Sequence, residues 1–372
     1  MIVGFDRFLG NAVQVEGLRR AIAAGRLPHS LILAGPRGSG KYTLALMVTM
    51  ALLCERQPRV GSSGGDLADF CGVCRNCTRI AESADLKTRV ADALAAREEM
   101  RDADKKDTRI LVQTHPSVLV IPPDPPQLLI KLGQVRTLIG SIYRAPVEAP
   151  RSVAIFTAAT FMKEAANSLL KVLEEPPAHA HIVLLAEHVG ELLPTIRSRC
   201  AVTRLGALPA EELEHLLAER RPEWKPQQRA LVARLAQGAA GRALGFDVEA
   251  YMAARADAMV LLRSATDAGD HTALFKMTET YRAGAEGQAK TTAMLQALAG
   301  LLEDILLLQS GVGERVQNVD LIRELERLAQ AVDFRWIENA VRGLDGVYTG
   351  MRRNLLRSLA LDSFAESLAG SR

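Results

Sequence analysis

A glycine-rich loop between an apolar strand and an apolar helix is the feature that most constrains the fold of this chain. Residues 35–41 read Gly-Pro-Arg-Gly-Ser-Gly-Lys and match the pattern G-x-x-x-x-G-K. The run 31–34 before the loop predicts a short buried parallel strand, and the run 43–53 after it predicts a helix. Glycines let backbone N–H groups converge on a phosphate, and the helix N-terminus adds a favourable dipole. The candidate nucleotide-binding residues are therefore Gly35, Gly38, Gly40 and Lys41.

Two groups that an ATPase of this class needs are missing. A Ser or Thr should follow the lysine to ligate Mg²⁺, but Tyr42 stands there, and Thr43 lies about 100° further round the helix. The predicted strand 152–156 should end in carboxylates that hold the metal and activate water, but Thr157 and Ala158 follow it. We therefore predict no ATP hydrolysis, whereas binding of ATP or ADP stays compatible with the glycines and Lys41.

Strands alternate with helices as far as about residue 205, which predicts an α/β domain with a parallel sheet. Beyond residue 205 only helical spacing remains, and a second, softer boundary lies near residue 250. Within the first part, residues 84–109 carry charges of both signs around an apolar stripe of Leu86, Val90 and Leu94, which predicts an exposed surface helix. The other predicted strands are 117–121 and 181–186, and the other predicted helices of this domain are 131–143 and 162–175.

Four of the five cysteines cluster in a loop with few apolar residues, 54–80. Cys71, Cys74 and Cys77 have C-x₂-C-x₂-C spacing, and Cys54 precedes them, which gives the four thiolates of a closed tetrahedral zinc site. Such a loop gains its order from a metal, because the free energy of metal binding becomes free energy of folding. An iron–sulfur cluster or free thiols are the alternatives, and Cys54 is the least certain of the four ligands by spacing.

Composition excludes several classes of protein. Aromatic residues make up 4% of the chain, too few for a base-stacking platform, and the net charge of +3 does not by itself indicate a nucleic-acid partner. The longest uncharged run that stands out, residues 42–54, is shorter than a membrane-spanning helix, and no signal peptide is visible. We expect a cytoplasmic protein with no membrane partner.

The chain resembles the bacterial clamp-loader subunits of DNA polymerase III, which are AAA+ proteins. The resemblance rests on the order of the phosphate loop, the cysteine cluster and three segments, and it covers most of residues 1–205. It is weaker across 206–246, where "AQGAAGRAL" at 236–244 resembles a second-sensor segment, and thin over "RRNLLRSLALDSF" at 352–364. The three segments are "THPSVLVIPPD" at 114–124, "AANSLLKVLEEPP" at 165–177 and "TIRSRC" at 195–200.

The resemblance implies an AAA+ domain over 1–205, with the zinc module at 54–80 and the 84–109 helix as an insertion. It implies a small helical lid over 206–249 and a helical collar for oligomerisation over 250–372. It also implies that Cys54, Cys71, Cys74 and Cys77 hold a structural Zn²⁺. Arg199 is the implied arginine finger, acting in trans on the ATP of a neighbouring subunit, and the motif places it just beyond the carboxyl end of the predicted strand 181–186. The implied partners are the gamma/tau and delta subunits, the sliding clamp and primer–template DNA.

Departures from the family pattern select between its members. Tyr42, Thr157 and Ala158 fit a non-motor subunit better than the gamma/tau motor ATPase, which is the alternative. Ala186-Glu187 stands where motor subunits carry polar threonines, and Arg242 lies near the second-sensor position. A zinc ribbon that binds nucleic acid as its main activity is a third hypothesis, but it lacks aromatic residues and a basic run around Cys71–Cys77.

Overall fold

The structure, a computed structural model, consists of two units. The first comprises Met1–Leu208 and Gly238–Arg242, and the second comprises Pro209–Gln237 and Ala243–Arg372. The chain therefore passes between the units three times. The division of the second unit into lid and collar stays a prediction. The residues that the structure describes are 4–61, 65–101, 105, 108–266, 271–281, 284–352 and 356–370.

A six-stranded sheet in the order β4-β5-β6-β7-β1-β8 forms the centre of the first unit. All neighbours in it pair in parallel except β4, which runs antiparallel to β5. The predicted α/β fold with a mainly parallel sheet is confirmed, with two edge strands, β4 and β8, that the sequence reasoning did not identify. The strands are β1 Ser30–Ala34, β2 Arg59–Val60, β3 Leu67–Ala68, β4 Val112–His115, β5 Val118–Ile121, β6 Ser152–Phe156, β7 Ala180–Ala186 and β8 Ala201–Arg204, with β2 and β3 forming a separate hairpin.

Both faces of the sheet are covered, which is why its inner strands read as unbroken apolar runs. All five residues of β1 and all seven of β7 are buried. Because side chains alternate along a strand, Leu31 and Leu33 pack into one core while Ile32 and Ala34 pack into the other. The phosphate loop follows β1 at its carboxyl end, the edge at which parallel sheets bind ligands.

Helices occupy both faces of the sheet and build the second unit. The predicted surface helix is confirmed as α4, which buries none of its residues, while its charge run at 102–107 lies outside the described residues apart from Lys105. The helices are α1 Ala12–Ala23, α2 Lys41–Leu53, α3 Arg75–Ala81, α4 Leu86–Glu98, α5 Leu132–Ile142, α6 Lys163–Glu174, α7 Pro194–Arg197, α8 Ala210–Arg220, α9 Pro226–Leu235, α10 Ala240–Leu244, α11 Val248–Thr266, α12 Thr272–Glu279, α13 Gly284–Gln309, α14 Ile322–Ala331, α15 Phe334–Arg352 and α16 Arg357–Ala369.

Helix α13 is the central core helix of the second unit. By length and composition alone, its stretch Gly287–Gln309 would suffice to cross a membrane. Its apolar residues, however, pack against α11, α14 and α15 in one core that includes the buried Trp336. Asp304 of the same helix is fully buried and accepts hydrogen bonds from the backbone N–H groups of Gln317 (2.7 Å) and Asn318 (2.9 Å). These contacts explain the apolar composition of α13 by packing within the protein.

Candidate functional site

The phosphate loop has the backbone that its sequence predicts. Gly38 and Gly40 both have φ of +85°, a conformation that other residues adopt at a cost. The N–H of Gly241 donates to the carbonyl of Gly38 (2.8 Å), and a Cβ at Gly38 would lie 2.8 Å from the backbone nitrogen of Arg242. Residues 238–242 thus complete the outer wall of the loop, which explains why glycine is needed at position 38.

Lys41 satisfies its ammonium group within the loop. Its Nζ donates to the carbonyl oxygens of Gly35 (2.6 Å) and Pro36 (2.8 Å). Burial lowers the pKa of Lys41, and the negative charges of Glu187 and Glu191 raise it in part. The ammonium lies where a phosphate group would meet it, so binding a phosphate exchanges two carbonyl acceptors for a charged one.

A cavity of about 650 Å³ opens in front of the loop, at the carboxyl ends of β1, β6 and β7. Thr157 and Ala158 line it where an ATPase would place carboxylates. Among the described lining residues the carboxylates are those of Glu187 and Glu191, and the Glu187 N–H donates to Glu191 Oε2 (3.1 Å). The sequence reasoning noted Glu187 by its sensor position but missed Glu191, four residues further along the chain.

The hydroxyl of Tyr42, a residue that lines the cavity, is engaged by a backbone carbonyl. It donates to the carbonyl oxygen of Ser83 (2.6 Å), in the short 3₁₀ helix Glu82–Ala84, and Ser83 Oγ lies 2.7 Å from Thr114 Oγ1. Burial raises the pKa of Tyr42 far above its ordinary value, so the phenol stays protonated. Tyr42 therefore fixes the start of α2 to the segment before α4 instead of presenting oxygen to a metal.

The four clustered cysteines come together as predicted. Their sulfur atoms all lie within 4.8 Å of one another, and roughly 3.8 Å would separate thiolates around a tetrahedral zinc. Cys54 follows the end of α2, Cys74 precedes the first residue of α3, and Cys77 lies within α3. Cys54, which spacing alone supported least, belongs to the cluster, while Cys200 lies in a separate part of the unit, as predicted.

Backbone N–H groups point at these sulfurs. Those of Gln57 and Cys71 donate to Cys54 Sγ, and that of Cys74 donates to Cys71 Sγ, each at 3.3 Å. Burial would raise the pKa of Cys71, but backbone N–H groups and neighbouring thiols lower it to about 7. Burial raises the pKa of Cys54 and Cys77, a penalty that a bound cation would reverse. The donor set and its hydrogen bonds therefore fit a four-thiolate metal.

A buried histidine, which was not predicted from the sequence, is joined to this cluster through the side chain of Asn76. His115 Nδ1 accepts from the Ser117 N–H (3.1 Å), so its Nε2 carries the proton and donates to Asn76 Oδ1 (3.0 Å). The Asn76 amide donates in turn to the carbonyl of Leu53 (2.8 Å), next to Cys54. The sequence signal was "TH" at the start of an apolar strand, which does not reveal a partner.

Arg199 lies in the loop between α7 and β8, and the sequence-based placement just beyond the carboxyl end of a strand is wrong. The predicted placement refers to β7, because β8, the strand that Arg199 precedes, has no apolar run that predicts it. Arg199 precedes Ala201, which pairs with Leu31 near the start of β1, so it lies at the opposite edge of the sheet from the phosphate loop. Its side chain is 32% exposed, donates from Nε to Glu174 Oε1 (2.7 Å) and donates to the carbonyl of Thr195 (2.7 Å).

Asp124 is a buried acid that the sequence reasoning passed over. It is 2% exposed, and its Oδ1 receives Arg97 at 2.8 Å and Lys131 at 3.3 Å. Arg97 belongs to α4, the insertion, and Asp124 lies beside Pro123, which lines the cavity. This carboxylate, paired with two cations, holds α4 against the segment that carries Asp124 and Lys131, because removing either cation leaves buried charge uncompensated.

Comparison with known families decides the relationship. Residues 10–209 match the family model described as "DNA polymerase III, delta subunit", and residues 251–360 match "DNA polymerase III, delta subunit, C terminal". A delta-prime subunit from Pseudomonas aeruginosa is 31% identical over 207 residues, 51% of this chain and 52% of that protein. The chain belongs to the delta-prime family of DNA polymerase III clamp-loader subunits.

Other relatives of this chain include both delta-prime and tau subunits. The delta-prime subunit of Bacillus subtilis is 26% identical over 313 residues, 84% of this chain and 82% of that protein. The tau subunit of Escherichia coli is 26% identical over 357 residues, 89% of this chain and 48% of that protein. The chain thus spans about half the length of the Escherichia coli and Pseudomonas aeruginosa relatives. A gamma-subunit-related protein of Thermotoga maritima is 18% identical, with a TM-score of 0.43, over 96% of this chain and 99% of that one.

Proposed function

We propose that this chain is a non-hydrolysing member of the clamp-loader ring, which loads the sliding clamp onto primed DNA. The observation that carries the proposal is the set of side chains at positions 42, 157 and 158, where an ATPase would hold Mg²⁺ and activate water. We call this part of the phosphate-loop cavity its metal side. Tyr42 directs its hydroxyl to Ser83, and Thr157 and Ala158 stand where metal-binding and water-activating carboxylates are needed. The chain keeps the groups that bind phosphate but lacks, at these positions, the groups that bind the metal and activate water. This combination favours a role in assembly over a role in catalysis.

We propose further that Arg199 serves the ATP of a neighbouring subunit. Its position at the edge of the sheet away from its own phosphate loop supports action in trans. A forked, permanently charged guanidinium bridges phosphate oxygens and stabilises charge on the transferring phosphoryl group. In the isolated chain Glu174 holds this guanidinium, so docking would exchange a carboxylate for a phosphate partner.

The test compares Arg199→Ala, Arg199→Lys and Glu174→Gln in the reconstituted complex with motor subunits, clamp and primed DNA. Both arginine variants should leave assembly intact and lower the stimulated ATPase rate, and with it clamp loading, by at least about tenfold. Glu174→Gln is the matched control, because it removes the same ion pair but keeps the guanidinium, and it should retain activity. If Glu174→Gln reproduces the loss, or if assembly collapses, Arg199 has a structural role.

The partners follow from this proposal. They are the gamma/tau and delta subunits, with the sliding clamp and primer–template DNA reached through the complex, in the cytoplasm. We propose one structural zinc ion per chain, held by Cys54, Cys71, Cys74 and Cys77. When bound, this ion would order the loop between α2 and α3 and take no part in catalysis.

A gamma/tau-like ATPase is the second candidate, because similarity to the tau subunit extends over 357 residues. The two candidates differ in hydrolysis by the isolated chain, which the second one requires. The side chains at 42, 157 and 158 support the first.

A further inference from the structure

We propose that residues 82–98 form a strap across the metal side of the phosphate-loop cavity, with Tyr42 as its latch, and that the strap excludes Mg²⁺-nucleotide complexes. The strap consists of the 3₁₀ helix Glu82–Ala84 and helix α4. This inference deepens the proposed absence of hydrolysis and rests on it. It also assigns a role to the insertion, which the family resemblance left without one.

The latch lies at the amino-terminal end of the strap. Tyr42 reaches the carbonyl oxygen of Ser83 (2.6 Å), and Ser83 is itself fully buried and bonded to Thr114. Tyr42 is the second residue of α2, so one hydrogen bond joins the phosphate-loop helix to the strap. The aromatic ring packs against the core, which makes this a fixed contact and not a surface one.

The carboxyl-terminal half of the strap has a separate anchor. Arg97 pairs with Asp124 at 2.8 Å, and the two side chains are 14% and 2% exposed. Buried ion pairs of this kind are costly to break one partner at a time. Pro123, adjacent to Asp124, lines the same cavity as Leu86 at the start of α4. Both halves of the strap are therefore joined to the cavity wall.

Between these anchors, Leu86 and Val90 pack against the core of the first unit. Leu86, Pro123 and Tyr42 line the same cavity as Thr43, Thr157 and Ala158. A nucleotide-bound Mg²⁺ needs an octahedral shell of oxygens, including several waters, at that position. The side chains of Leu86 and Pro123 supply no oxygen, and the Tyr42 hydroxyl is committed to Ser83, so the polar side chains that remain among these residues are the hydroxyls of Thr43 and Thr157. We infer that this lining disfavours a hydrated cation bound to a nucleotide.

The experiment measures binding of Mg²⁺·mant-ATP by fluorescence and, separately, amide hydrogen exchange in Leu86–Glu98, on the full chain. Tyr42→Phe removes the latch, Arg97→Gln removes the second anchor, and Arg89→Gln is the control, because Arg89 lies on α4 but pairs with the exposed Glu82. We expect exchange in α4 to rise at least tenfold in Tyr42→Phe and in Arg97→Gln, and to stay unchanged in Arg89→Gln.

The double variant Tyr42→Ser with Arg97→Gln releases the strap and supplies a short hydroxyl, so it should bind Mg²⁺·mant-ATP at least tenfold more tightly than the wild type. Thermal unfolding and zinc content establish that each variant is folded. Equal affinities in the wild type and the double variant, including no binding in either, would overturn the proposal, as would unchanged exchange in α4. ATP hydrolysis by the wild type would instead contradict the proposed function, which separates the two failures.

Discussion

Tyr42 carries a hydroxyl at the position where the phosphate-loop pattern requires one, but its side chain is too long to place that hydroxyl on Mg²⁺. The sequence shows this excess length, and from it alone the loss of a Mg²⁺ ligand could be predicted. What it could not show is where the phenol goes, because Ser83 is 41 residues away along the chain. The same limit applies to Asp124 and Arg97, since charged residues that pair across the fold look like ordinary surface charges in a sequence.

His181 illustrates a residue whose titration affects folding. It is 2% exposed, its Nδ1–H donates to the carbonyl of Pro28 (3.1 Å), and its Nε2 accepts from Arg151 (3.1 Å). Burial lowers the pKa of His181 to about 4, against the hydrogen bond to Pro28, and electrostatic repulsion from Arg151 and His29 adds to the shift.

We expect His181 to weaken the fold as the pH falls from 6.5 to 4. In that window the unfolded chain binds a proton at His181 that the folded chain does not, so the free energy of unfolding falls by about 3 kcal/mol. In His181→Gln this pH dependence should shrink by about that amount, measured by urea unfolding at several pH values. His215→Gln, on an exposed face, is the control. A variant with the wild-type pH profile would contradict the prediction.

Among the strands of the sheet, those that could be predicted from the sequence are the buried ones. The inner strands β1, β5, β6 and β7 are apolar runs and were predicted, whereas β8 has the sequence Ala-Val-Thr-Arg and none of its residues is fully buried. An edge strand needs only its hydrogen-bonding partner, here β1, and its side chains carry little pattern. The cysteine module was predicted because metal ligands leave their spacing in the sequence.

The zinc module gives the prediction at this scale. Cys74→Ser should lose the metal and increase proteolysis between α2 and α3, while the sheet stays folded, because the module gains order from the metal and the sheet from its own cores. The free energy of binding structural zinc, about 10–16 kcal/mol in zinc-finger peptides, makes the loss large. Elemental analysis and limited proteolysis measure it, with Cys200→Ser as the control outside the cluster. Iron with a visible absorption band, or no metal in the wild type, would contradict the assignment.

For the whole molecule, we predict that the altered cavity abolishes ATP turnover. The isolated chain should hydrolyse ATP far below the roughly 1 s⁻¹ at the low end of typical enzymes, because neither a metal ligand nor a water-activating carboxylate is present at 42, 157 and 158. A coupled phosphate-release assay measures the rate, and Lys41→Ala should leave the residual signal unchanged. Turnover near 1 s⁻¹ that Lys41→Ala abolishes would show a working ATPase.

The five residues Gly238–Arg242 complete the phosphate loop although they follow it by about 200 positions in the chain. During synthesis the loop leaves the ribosome early, and Gly241, whose N–H donates to the Gly38 carbonyl, leaves much later. Chains generally fold from the amino terminus as they emerge, so the sheet has its strands before the loop has its outer wall. A nascent chain therefore carries an unfinished phosphate loop until α8, α9 and the start of α10 have been made.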